Sequence, residues 1–417
     1  MYNKTALDNG IRIVTEEINH VRSVSLGVWV ESGSRYEDST INGIAHCIEH
    51  MLFKGTKNRS ALDIVSSIDS VGGIMNAYTG KELTSFYVKI PDYHLAMAID
   101  LLADIFQNSL FDPAELDKEK LVILQEIHML EDTPDEYIYD FFGKIFWDDH
   151  PLGLPILGTK DTVTRFLRNN IVDFFTRQYN GNNMTIAAAG NLKHDDFVSL
   201  VEQSFSSIKG SSIKEETMGC TVTSNIAIFE KDLEQVHVMI GTLAPASTSD
   251  DRYTAVLMNT ILGGSMSSRL FQEIREKRGL AYTIHSFLLP YYDVGMLGIY
   301  FGASEDRVTD IITLVMEELK KLSNNSLLER EIQSAKEQMK GNFLLSMEST
   351  DIRMTRLAKN EIYFSRNIEF DEVVEHINGI SKENVKDLAG KIFRSEILSM
   401  AVLGRVKKKD FTPELLM

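Results

Sequence analysis

With 417 residues, 43% hydrophobic and 25% charged, the chain is too long for one ordinary core and too apolar for the disordered class, so two domains are expected. A formal charge of -17 argues against a nucleic-acid partner, which needs a basic face, and suits a basic peptide. Two cysteines, Cys47 and Cys220, cannot build a disulfide scaffold, and no apolar run approaches the roughly 20 residues that span a bilayer, so reduced thiols and no membrane insertion are expected.

The N-terminus, MYNKTALDNGIRIVTEE, alternates like a strand and carries neither an apolar signal core nor an Arg-rich presequence, so the expectation is a cytoplasmic chain or one already matured. Ser23 to Glu31 then alternates as a strand, His46 to Phe53 and Ala61 to Val71 read as helices, and Gly72 and Gly73 interrupt. Two strands, Ile74 to Tyr78 and Thr84 to Ile90, lead into an amphipathic helix, Tyr93 to Phe106, and a longer one, Pro113 to Leu130. The acidic residues Glu131, Asp132, Asp135 and Glu136 follow around Pro134, read either as a solvated loop or as a partner for an Arg or Lys of a substrate. An apolar strand, Thr185 to Gly190, closes the half.

The same order returns in the second half. Val236 to Thr242 is strand-like, Tyr253 to Leu262 and Ser268 to Lys277 are helical, and Gly279 interrupts before the strands Ala281 to Leu288 and Gly295 to Gly302. Helices at Glu305 to Leu322 and Leu327 to Ser346 and a closing strand, Ser399 to Gly404, complete it. The prediction is an α+β duplication: two structurally similar domains, each a mixed or antiparallel sheet packed with helices, at 1-208 and 225-417. The stretch 209-224, rich in Ser, Thr and charge, is the expected linker.

The chemistry concentrates in His46-Cys47-Ile48-Glu49-His50. On a helix His46 and His50 project from one face and can meet one ion, while Glu49 on the neighbouring edge can take a proton from water as general base. The order is the inverse of H-E-x-x-H and matches the inverzincin signature. A His pair at this spacing can also lie on a solvated face. Against that, Ile44, Ala45, Ile48, Met51, Leu52 and Phe53 make the segment apolar, where two imidazoles and a carboxylate are costly to bury without a metal. Zinc hydrolases keep three protein ligands, so a third must come from elsewhere. Glu119 and Glu126, two turns apart on one helix face, are both candidates, one to ligate and the other to support; His128 lies off that face. The counterpart of the motif helix in the second half lacks these residues, so only the first half can hold this metal.

Four ordered blocks, NGIAHCIEHMLFKGT at 42-56, GGIMNAYTGKELTSFY at 72-87, VILQEIHMLEDTPDE at 122-136 and SSRLFQEIREKRGLAY at 267-282, resemble the pitrilysin-like zinc metallopeptidases of family M16, the group that includes the processing peptidases. The resemblance spans nearly the whole chain. It implies the fold of that metallohydrolase family and an M16B-type endopeptidase with one Zn2+ per chain, His46, His50 and Glu126 as ligands, Glu49 as base and Glu119 as the carboxylate behind them. Glu119 or Glu131 replaces Glu126 if that ligand is wrong. Arg275 and Tyr282 match an Arg and Tyr pair that acts on the substrate carbonyl, with Arg275 pairing to Glu273 or Glu276 as the bland alternative. Asn76, Ala77 and Tyr78 match a strand whose free edge binds the peptide, and Phe53 matches a pocket residue that could equally be core. A homodimer and a basic, presequence-like peptide are likewise implied. Gly263, Gly264 and Ser265 lack the lysine and spacing of a phosphate loop and fall short of the glycine-rich loop of the family's non-catalytic subunit. The rival expectation is a catalytically silent structural subunit of the same fold.

Overall fold

Six strands make the first sheet: β1 (Tyr2–Ala6), β2 (Arg12–Glu17), β3 (Ser23–Val30), β4 (Ile74–Thr79), β5 (Thr84–Pro91) and β6 (Met184–Gly190), in the order β1-β2-β6-β3-β5-β4. They belong to a computed structural model that describes residues 2–211, 219–324, 326–406 and 411–416. The central strands β3 and β6 are almost wholly buried: β6 as its apolar run predicts, whereas β3, read as alternating, is covered on both faces. Strand β4 pairs with β5 on one side only and alternates exposed and half-buried along its length. It is a sheet edge.

The second sheet holds β7 (Ile226–Glu230), β8 (Val236–Ala244), β9 (Thr283–Pro290), β10 (Gly295–Ala303) and β11 (Ser399–Gly404), in the order β7-β11-β8-β10-β9. Each pairing has its counterpart in the first sheet. β2 runs parallel to β6 as β7 does to β11, and β3 is antiparallel to β5 and β6 as β8 is to β10 and β11. The expected α+β duplication is therefore present strand for strand, with β1 as the addition to the first copy.

The chain divides into two compact units, each drawn from three segments. The first is Met1–Met129, Leu154–Met218 and Ser346–Asn367; the second is Leu130–Gly153, Gly219–Leu345 and Ile368–Met417. This corrects the contiguous division at 1-208 and 225-417. A change of unit does fall inside the expected linker, 209-224, whose residues 212–218 lie outside the described residues. The physical reason for the correction is that each sheet buries a face against a helix from the other half of the sequence. In the first unit, Met354, Leu357 and Ala358 of the helix Thr350–Phe364 pack with Val14, Trp29, Ala187 and Ala189. In the second unit the helix Pro134–Phe146 places Ile138, Phe142 and Phe146 against Met239, Met296, Tyr300 and Ala401. Gly241 makes that packing possible, because a Cβ there would lie 2.4 Å from the Phe142 ring.

The helix Pro134–Phe146 also corrects the loop reading of the acidic run around Pro134. Pro134 opens a helix instead of marking a loop, since a missing N–H is harmless at the first helical position. Asp135 and Glu136 occupy its first turn, where the helix dipole favours negative charge. Among the described residues no helix is long and apolar enough to cross a membrane.

Candidate metal centre

The motif lies on α1 (Ile44–Leu52), within the first unit, and the way that helix begins depends on a residue well upstream. Gly43 takes φ 92, and a Cβ there would lie 2.7 Å from both the Gly158 Cα and the Leu157 carbonyl oxygen, so only glycine fits. Glu37, 3% exposed, accepts hydrogen bonds from the Gly43 and Ala45 backbone N–H groups at 2.7 and 2.8 Å and from the Asn42 amide at 2.9 Å. A buried carboxylate thus caps the helix that carries the two histidines. Burial pushes the Glu37 carboxyl up to about 7, against the pull of those three donors. Glu37→Ala would strand buried donors, and we expect it to lower stability by about 1–3 kcal/mol in urea unfolding. Glu37→Gln should recover part of that loss, because its amide oxygen still accepts.

His46 and His50, one turn apart, converge with Glu126 of the helix α2 (Pro113–Glu131). The His46 Nε2 and His50 Nε2 atoms are 3.3 Å apart, and each lies 3.6 Å from Glu126 Oε2. Ligand atoms around a tetrahedral ion with bonds of about 2.0–2.1 Å are separated by about 3.3–3.4 Å. The triangle fits such an ion. Its chemistry fits as well: burial, and then the neighbouring His50, push His46 down to about 3, so it is a neutral imidazole with a lone pair to give. Among the described residues these three form the group of His, Cys, Asp and Glu side chains able to hold a metal ion.

Glu119, one of the two candidates from the sequence, stands behind the site. Its Oε2 is 3.0 Å from His50 Nδ1, and its Oε1 is 2.7 Å from Lys54 Nζ. A carboxylate on Nδ1 fixes the His50 tautomer so that Nε2 faces the other ligand atoms. Lys54 stands two residues beyond the end of α1, its N–H donating to the Met51 carbonyl at 3.1 Å. The Nδ1 atom of His46 is buried with no hydrogen-bond partner.

Glu49, on the same helix, is half-buried, and its Oε2 accepts a hydrogen bond from Thr79 Oγ1 at 2.5 Å. Burial raises its proton affinity above that of an ordinary Glu; the Thr79 hydroxyl and His50 oppose this, and Glu126 adds to it. Thr79 ends β4, the edge strand on which Asn76 and Ala77 pair with Tyr87 and Phe86. Phe53 caps α1 at its C-terminus and is partly buried against the core, its ring centroid 5.9 Å from that of Phe86.

Arg275 and Tyr282 meet in the second unit. The Arg275 guanidinium lies 4.6 Å from the centroid of the Tyr282 ring and 4.7 Å from that of Phe271, on a π-helical turn, Phe271–Glu276. Its nearest expected acidic partner, Glu276, is 3.8 Å away, and Glu273 pairs instead with Lys277 and Arg278. Tyr282 is 76% exposed.

Sequence reading missed Glu37, Lys54 and Thr79 as parts of the site. For Lys54 and Thr79 a signal was present: both stand inside the blocks that carry the resemblance, but neither is a metal ligand or a base. Glu37 carried none, because a cap seven residues before its helix has no fixed spacing.

The chain is similar to known proteins over nearly its whole length. Residues 12–160 match the family model described as insulinase, peptidase family M16, and residues 165–339 match that of the peptidase M16 inactive domain. A protein of Bacillus subtilis named uncharacterized zinc protease YmxG is 39% identical over 95% of this chain and 97% of its own length. One of Rickettsia felis, also named an uncharacterized zinc protease, is 37% identical, with 97% of both chains covered. The crystal structure of a protease from Helicobacter pylori shares the fold, with a TM-score of 0.91 at 21% identity over 97% of this chain and 99% of that one. That of a peptidase M16 inactive domain from Pseudomonas fluorescens does so with a TM-score of 0.92 at 18% identity over 98% of each. The chain belongs to the M16 peptidase family.

Proposed function

We propose that the chain is a zinc-dependent endopeptidase, acting as a homodimer on extended peptides of basic, presequence-like character. The observation that carries the reading is the convergence of His46, His50 and Glu126 with Glu49 beside them. The names of the relatives support zinc as the metal.

A zinc ion held by His46, His50 and Glu126 would supply the Lewis acidity that makes water a usable acid near neutral pH. Glu49 is the base. Its burial raises its affinity for the water proton, and the Thr79 hydroxyl holds one of its oxygens in place. Glu49 takes that proton as the water oxygen bonds to the scissile carbonyl carbon, and returns it to the amine as the C–N bond breaks. The free edge of β4 suits a peptide that adds as a further strand, held by backbone hydrogen bonds beside Asn76 and Ala77, with side chains read by pockets of which Phe53 is one wall. A net charge of -17 favours a basic substrate.

The test is zinc content and cleavage of a basic fluorogenic peptide, before and after chelation. Cleavage that is lost on chelation and restored by zinc is expected. A protein that binds no zinc and cuts nothing, even with zinc added, would overturn the proposal in favour of a silent structural subunit.

A further inference from the structure

Resting on that functional reading, we infer that Lys54 is a positioning residue of the metal centre, acting through Glu119 on His50. Glu119 is 5% exposed, and a buried carboxylate needs both charge compensation and hydrogen-bond partners. It has one of each kind, on different oxygens: His50 Nδ1 at 3.0 Å from Oε2 and Lys54 Nζ at 2.7 Å from Oε1. The ammonium therefore holds the carboxylate by the oxygen that His50 does not use. That leaves Oε2 directed at Nδ1, which keeps the imidazole proton on Nδ1 and the Nε2 lone pair turned toward His46 and Glu126.

Lys54 is placed for this by the end of α1. Two residues beyond Leu52 the chain turns, with the Phe53 N–H on the His50 carbonyl at 3.2 Å and the Lys54 N–H on that of Met51. The lysine thus leaves the helix about one turn after His50 and reaches Glu119 on α2. About a third of its side chain is exposed, so its stem is partly solvated while its head group is engaged. Lys54 touches no ligand atom of the metal triangle, so its effect must pass through the carboxylate. An ordinary salt bridge between α1 and α2 would contribute to stability alone; a positioning role must appear in metal affinity.

The experiment measures zinc affinity by competition with a chromogenic chelator, and thermal stability of the metal-free form, for the full chain and for Lys54→Met, Lys54→Arg, Glu119→Gln and the Lys54→Met/Glu119→Gln double variant. Loss of a group that orients a ligand weakens metal binding by about 10–100-fold, and Lys54→Met, acting one step further out, is expected at the low end of that range, about 10-fold. Lys54→Arg, which keeps the cation, should remain within a few-fold of wild type. On the Glu119→Gln background Lys54→Met should weaken binding no further. Zinc affinity unchanged in Lys54→Met with only the melting temperature lowered, or an equal loss on both backgrounds, would overturn the inference and leave the functional reading standing. If Lys54→Met does not fold, Lys54→Gln takes its place under the same criteria. A folded wild type that binds no zinc would overturn both.

Discussion

Glu49→Gln is expected to bind zinc as the wild type does and to lose peptide cleavage by about 10²–10⁴-fold in kcat, the range attributed to a positioned general base. The substitution preserves the shape of the side chain and an oxygen able to accept from Thr79, so α1 and the neighbouring ligands should stay in place. What it removes is the ability to take a proton. Zinc content measured beside kcat and KM separates the possibilities. Zinc retained with kcat lost and KM little changed identifies the base; zinc lost as well would make Glu49 part of the ligand set; undiminished kcat would remove Glu49 from the mechanism. Thr79→Val, which deletes only the hydroxyl, should fall in the same direction by a smaller factor, and Thr79→Ser should recover.

Why the candidate ligands and Glu119 could be named from the sequence, and Lys54 and Thr79 could not, follows from how each is encoded. His46, Glu49 and His50 lie within five consecutive residues, so helical periodicity alone places them together. Glu119 and Glu126 share a helix face by the same rule, but their order of duty depends on which turn of α2 lies opposite His50, and that is tertiary information. Lys54 has no such periodic relation, because α1 ends at Leu52 and the lysine reaches its partner across a turn. Thr79 meets Glu49 only after β4 has been laid on the sheet beside β5.

The fold divides in the same way. Alternation and glycine punctuation revealed the two sheets and their repeat, since those signals are local. They did not reveal that Pro134–Phe146 belongs to the second unit and Thr350–Phe364 to the first. The apolar face of Ile138, Phe142 and Phe146 says that the helix is buried and not which sheet it covers. The matching clue was a glycine, Gly241, more than ninety residues away.

The choice between the carboxylates of α2 gives the second large effect. Glu126→Gln is expected to weaken zinc binding by more than the roughly 10–100-fold assigned to an outer partner, because it removes one of three charged or lone-pair donors and replaces it with a poorly basic amide oxygen. Glu119→Gln should show the smaller loss, since it leaves the triangle of His46, His50 and Glu126 intact and disturbs only the support of His50. Glu131→Gln should leave affinity unchanged: Glu131 is the last residue of α2, and its carbonyl oxygen accepts from Lys231 at 2.6 Å in the second unit. Competition with a chelator ranks all three. The order Glu126, then Glu119, then Glu131 follows from the distances, with Glu126 Oε2 at 3.6 Å from both histidine nitrogens that face the centre and Glu119 Oε2 on the far side of His50, at Nδ1. Inversion of the first two would mean that the metal sits on the Nδ1 side of His50, a position from which the Nε2 atom of His46 could not share it.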